Sequence, residues 1–111
     1  DDGEEESTLV DPRQRFSALL SPGDDLDADS RDILVDIREL RSALPFVLFR
    51  RSFRLIPLTL PTGDYIPADG VAVERKTVPD LIQSLNSGRL FAQTARLLAD
   101  FEEAVLLIEY D

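Results

Sequence analysis

Three residues of this chain have the types and spacing to do chemistry together: Asp64, Glu74 and Lys76. Glu74 and Lys76 are two apart in the run Val71–Lys76, so on a strand both side chains leave one face and Arg75 leaves the other. Pro67-Ala68-Asp69-Gly70 is a turn signal joining that run to Gly63–Ile66. A turn centred on residues 68–70 pairs 67 with 71, and counting outward sets Asp64 opposite Glu74, with Cβ atoms ~5 Å apart. A two-residue turn shifts the register by one and spoils that pairing. Facing carboxylates repel, and a protein keeps them mainly where a cation or a shared proton lies between them. A hard divalent ion, Mg²⁺ or Mn²⁺, resolves the repulsion, completed by waters and phosphate oxygens. Lys76, on the same face, could orient or help deprotonate an attacking water, or stabilise charge on a phosphate.

Other residues could join this group. Lys76 is the only lysine beside eleven arginines, a compact ammonium where every other cation is a planar fork. Biased residue usage by itself is the better account of that, and the coincidence with two carboxylates is what favours a role. Asp36 ends the first apolar run, at the carboxyl end where α/β sheets usually place their sites, with Arg38 and Glu39 following. Asp80 falls just after Pro79 in the first turn of a helix, where the dipole favours any carboxylate. Arg89, after Asn86-Ser87-Gly88, either reaches a phosphate from a helix start or lies on the surface. Arg50, Arg51 and Arg54, interleaved with Phe49 and Phe53, form the densest basic patch. It suits a nucleic-acid backbone, and equally a helix C-terminus.

Composition excludes much else. In 111 residues there is no Cys and no His, hence no disulfide scaffold, no thiolate or imidazole zinc site, and no Ser-His or Cys-His nucleophile. No apolar run approaches the ~20 residues of a membrane span, so no membrane partner is expected. A net charge of -10 argues against DNA until it is divided along the chain. Residues 1–32 hold 11 acidic and 3 basic side chains, a net of -8, whereas residues 33–111 hold 11 and 9, a net of -2. The acidic, aromatic-poor stretch 1–31 reads as a solvated linker, with one short helix over Leu9–Leu20. An arm whose carboxylates imitate phosphates is the alternative.

The elements that must hold the carboxylates occupy residues 32–111. Ile33–Ile37 reads as a buried strand, and Arg38–Arg51 as a helix with Pro45 at a first turn or a kink. Leu55–Leu60 is a strand that Pro57 assigns to an edge or bulge. After the 63–76 hairpin, a helix runs from Thr77 or Val78 to about Asn86, Gly88 stops it, and a second spans Arg89–Phe101. Ala104–Tyr110 is an apolar strand. Strand, two helices and strand make a crossover, so the last strand lies parallel to the Val71 strand. The class is α/β.

Read together, Val35-Asp36-Ile37-Arg38-Glu39, Gly63-Asp64-Tyr65 and Glu74-Arg75-Lys76-Thr77-Val78-Pro79-Asp80 resemble the signature of XPF-type structure-specific DNA endonucleases. The stretch Asp80–Gln93 and the strand Val105–Asp111 are similar to the family as well. The resemblance implies a restriction-endonuclease-like core, a mixed central sheet flanked by helices, partial at its C-terminus. It implies metal-dependent cleavage of one DNA strand near a single-strand/double-strand junction, as in a splayed arm or bubble, with Mg²⁺ or Mn²⁺ as cofactor. By that likeness Asp64 and Glu74 are metal ligands, Asp36 and Asp80 assist, Lys76 is the catalytic lysine, and Arg38 and Arg75 support the site or the phosphate. Arg50, Arg51 and Arg89 are the DNA-binding residues expected. The family acts in the nucleus, in nucleotide excision and interstrand crosslink repair, as a heterodimer with a related noncatalytic subunit and with repair scaffold proteins. Two alternatives stand beside it: a noncatalytic docking scaffold, and a small acidic interaction domain whose carboxylates are solvated surface.

Overall fold

The computed structural model describes residues 31–110, so the expected acidic linker, apart from Arg31, and the short helix expected over Leu9–Leu20 lie outside the described residues. Five strands form one sheet in the order β2-β1-β3-β4-β5, with β1 at Asp32–Asp36, β2 at Arg54–Leu58, β3 at Tyr65–Ala68, β4 at Val71–Thr77 and β5 at Glu103–Glu109. The β1–β2 and β4–β5 pairs are parallel, while β3 runs antiparallel to both its neighbours, which makes the sheet mixed. Each parallel pair is bridged by helix, as a parallel connection requires. Helix α1 (Leu44–Arg50) joins β1 to β2, and α2 (Val78–Ser87) with α3 (Arg89–Asp100) joins β4 to β5.

Alternation along the strands divides the core between the two faces. Leu34, Ile66 and Ala72 pack on one face with Leu60, Phe101 and Leu97 of α3. Ile33, Val35 and Tyr65 pack on the other with Leu44 and Leu48 of α1. Among the described residues the three expected helices are all present, but the expected Arg38–Arg51 helix is divided. A 3-10 turn over Ile37–Arg41 ends where the Ser42 N–H and hydroxyl both donate to the Glu39 carbonyl. Pro45, which has no N–H to give an i−4 bond, then opens α1 in its first turn. Pro57 sits on the edge strand β2, opposite Val35. Thr77 caps α2, and Gly88 in the left-handed conformation (φ 78°) ends it and starts α3. Strand β5 is the other edge, and its Val105, Leu106 and Leu107 are partly exposed. No helix among the described residues is long and apolar enough to cross a membrane.

Candidate active site

The hairpin carrying Asp64 and Glu74 turns through two residues, Asp69 and Gly70, with Ala68 opposite Val71 and Gly70 at φ 80°. A regular ladder from that turn sets Tyr65 against Glu74. Instead β3 holds one extra residue between Tyr65 and Ala68, and this bulge brings Tyr65 opposite Val73. Pro67, which cannot donate to a ladder, lies within it. The short turn and the bulge cancel, and the register needed to bring Asp64 beside Glu74 survives. Asp64 brackets Glu74 from both sides: its N–H donates to the Val73 carbonyl (2.9 Å), and its carboxylate accepts the Arg75 N–H (2.8 Å). On its other side the Asp64 carbonyl accepts the Asp36 N–H (2.9 Å). Asp36, Asp64 and Glu74 thus follow one another across three adjacent chain segments.

Their electrostatics differ. Asp36 is only 3% exposed, and its carboxylate accepts bonds from Arg38 Nε (2.7 Å), Arg38 Nη2 (2.9 Å), the Arg38 N–H (3.2 Å) and the Leu60 N–H (2.9 Å). The Arg38 bonds hold its pKa below the ordinary value despite burial. Asp64 is shifted the other way: burial raises it, the Arg75 N–H opposes, and the negative charges of Glu39 and Asp36 add to the rise. Glu74 is pushed up to about 7, first by burial and then by Asp64, with Lys76 and Arg96 partly offsetting. Asp64 and Glu74 therefore form a pair short of positive charge, whose hard oxygens fit a divalent cation. Among the described residues no three acidic side chains converge as a preformed metal cage. The expected third ligand, Asp36, is taken up by Arg38 and Leu60.

These groups line a cavity of about 330 Å³ whose walls include Asp36, Arg38, Glu39, Asp64, Glu74, Gln93 and Arg96. Lys76 is buried (8% exposed) two residues beyond Glu74 and outside that lining, near enough for its charge to act on Glu74. Arg75 points to the opposite face of β4, as alternation requires. There its guanidinium bonds Glu39 (2.9 Å) and Glu109, and the Tyr65 hydroxyl donates to the same Glu39 oxygen (2.8 Å). Burial works against the Arg75 charge, and the two carboxylates outweigh it. Asp80 is exposed in the first turn of α2 and is not in the cavity lining. Arg89 is also outside, its Nη2 donating to Ser84 Oγ (3.2 Å). Arg50 and Arg51 lie at the end of α1, away from the cavity lining. Sequence reasoning gave no role to Gln93 or Arg96. Gln93 is one turn (i, i+4) before core residue Leu97 on α3, and Arg96 is three residues from Gln93, a spacing that puts Gln93 on the inward face with Arg96 beside it. Gln93 Oε1 is buried with no hydrogen-bond partner among the described residues.

The chain matches the ERCC4 domain over residues 35–111. It is 46% identical over 89 residues to the DNA repair endonuclease XPF of Cricetulus griseus, covering 80% of this chain and 10% of that protein. It is 39% identical over 79 residues to the 3'-flap repair endonuclease Xpf of Saccharolobus solfataricus, covering 71% of this chain and 34% of that one. XPF from Aeropyrum pernix, solved in complex with DNA, superimposes with a TM-score of 0.68 at 42% identity over 69% of this chain and 38% of that one. The chain spans 8–12% of the length of the animal XPF proteins it matches. The mixed five-stranded sheet with its helices is the restriction-endonuclease-like fold of the XPF nuclease domain. By sequence and by fold, the chain belongs to the ERCC4 domain family.

Proposed function

We propose that this chain is the catalytic core of a divalent-metal-dependent DNA endonuclease that hydrolyses one phosphodiester bond near a single-strand/double-strand junction. The observation carrying this reading is the Asp64–Glu74 pair, partly buried, mutually repelling and facing a cavity that has arginines on its walls. Asp64 and Glu74 would hold Mg²⁺ or Mn²⁺, with Asp36 beside them. Such an ion, when bound, supplies Lewis acidity toward a phosphoryl oxygen and a more acidic water. Lys76 adds the charge that stabilises the attacked phosphate. Arg38, whose side chain is 72% exposed although its head is anchored on Asp36, and Arg96 line the cavity and would meet an incoming phosphate. Arg75 positions rather than reacts, fixing Asp64 through its N–H and tying β4 to Glu39 and Glu109. Asp80 assists from the start of α2, and Arg50, Arg51 and Arg89 hold flanking phosphates.

The same reading extends to the whole protein: a nuclear nuclease in nucleotide excision and interstrand crosslink repair, paired with a related noncatalytic subunit and recruited by repair scaffold proteins. Relatives named as DNA repair endonucleases support the repair and nuclease parts of this reading, and the DNA-bound archaeal neighbour supports DNA as the substrate. The test uses the longer parent protein with its partner subunit on a splayed-arm DNA. Lys76→Ala abolishes incision and leaves junction binding within about two-fold, because the change removes an interaction made in the transition state. Undiminished cutting by this variant sinks the assignment.

A further inference from the structure

We propose that the outer face of α1 is a stacking platform for single-stranded nucleic acid, separate from the cavity. A short helix packed on a sheet normally turns polar side chains outward. Helix α1 buries Leu44 and Leu48 against Val35 and Tyr65, yet outward it shows Phe46 at 62% and Phe49 at 68% exposure. Phe46, Phe49 and Arg50 are spaced i, i+3 and i+4, so they share one side of the helix. The Arg50 guanidinium lies 5.8 Å from the Phe46 ring centre, and one turn beyond α1 the Arg31 guanidinium covers Phe53 at 4.1 Å.

The charge around these rings selects the partner. The segment 40–63 contains no Asp or Glu, although the chain has 22 of them in 111 residues. Within it lie Arg41, Arg50, Arg51 and Arg54, and Arg31 reaches back to donate to the Ser52 and Arg51 carbonyls. Arg54 is paired with Asp32, which leaves three exposed arginines in the segment: Arg50 beside the Phe46 ring, Arg51 at the end of α1 and Arg41 in the turn before it. Exposed rings among arginines, in an otherwise acidic chain, match a polyanion with open π-faces: unpaired bases stack on the rings while phosphates meet the guanidinium groups. A duplex hides its base faces and gains only from the arginines. An apolar protein partner would leave those cations without counter-charge.

Fluorescence anisotropy with a labelled dodecathymidylate tests this, using the whole chain in EDTA at low salt so that the metal site plays no part. The chain binds the oligonucleotide, and Phe46→Ala/Phe49→Ala weakens that binding by about ten-fold or more while a blunt duplex loses little. Because both rings are exposed, the circular dichroism spectrum and melting temperature of the variant stay as in the parent. Arg50→Gln lowers the slope of log K against log salt by about 0.7. No measurable binding by the parent, or equal binding by the double-Phe variant, overturns the proposal. So does sedimentation showing that the two rings drive self-association with no effect on the oligonucleotide.

Discussion

The carboxylate pair makes a prediction about stability as well as catalysis. Glu74 has a pKa of about 7 against an ordinary 4.5, so the folded chain binds a proton that the unfolded chain has already lost between those values. Folding stability must therefore fall as pH rises from about 4.5 to about 7, opposite to the trend a salt-bridged carboxylate gives. Two and a half pKa units correspond to about 3 kcal/mol, most of it appearing between pH 5 and pH 8, and partial exposure reduces the figure to about 2 kcal/mol. Glu74→Gln keeps the shape and removes the charge. In EDTA, urea unfolding followed by far-ultraviolet circular dichroism should find the variant more stable than the parent by about 2 kcal/mol at pH 8, and by little at pH 5. In melting temperature the gap at pH 8 is on the order of 10 °C. Millimolar Mn²⁺ should narrow it, because a ligand that binds only the folded parent raises the parent alone. A variant that is destabilised at pH 8, or whose gain is the same at both pH values, would refute the strained-pair reasoning.

Two further outcomes follow from neighbouring geometry. Asp36→Asn removes the charge that Arg38 and Leu60 surround, and should cost about 1–3 kcal/mol at pH 7 in urea unfolding. Because the Asp36 pKa is lowered from 3.8, that contribution is present above 3.8 and vanishes as pH falls through the lower native value, so parent and variant should converge in strong acid. Gly63→Ala forces a side chain onto a backbone at φ 82°, with its Cβ 3.4 Å from that of Ala72, and should cost about 1–2 kcal/mol by thermal melting. An unchanged melting temperature would show that the approach to Asp64 does not need the left-handed conformation.

Much of this arrangement was legible in the residues, and the limits have physical causes. Period-two alternation placed Glu74 and Lys76 on one face and Arg75 on the other, because strand geometry admits no other result. The crossover from β4 to β5 followed from order alone. The right partner for Asp64 was reached through the wrong turn, since local propensity says little about a bulge two residues away from it. The division at Ser42 escaped notice because Leu40, Leu44, Val47 and Leu48 carry a helical period straight through a 3-10 turn. The Arg75–Glu109 and Arg75–Glu39 pairs join residues 34 and 36 apart, a distance over which no periodicity speaks. Gln93 and Arg96 look like ordinary polar positions of an amphipathic helix until α3 is laid on the sheet. Asp36 shows the reverse lesson: the residue was placed correctly, but its nearest cation is Arg38, two positions away.

The extra residue in β3 has a consequence for chain length. Since the hairpin holds one residue more than its pairing uses, a chain lacking Pro67 could close a regular ladder and still present Asp64 beside Glu74. The number of residues separating the two carboxylates is then not what the chemistry selects; what matters is that turn and bulge together preserve which side chains meet. Alignment by counted spacing would misplace Asp64 in a relative with a shorter hairpin, whereas tracing the strand pairing back from Val73 would find it. The loop can thus gain or lose a residue over evolution while the two acids it joins stay together.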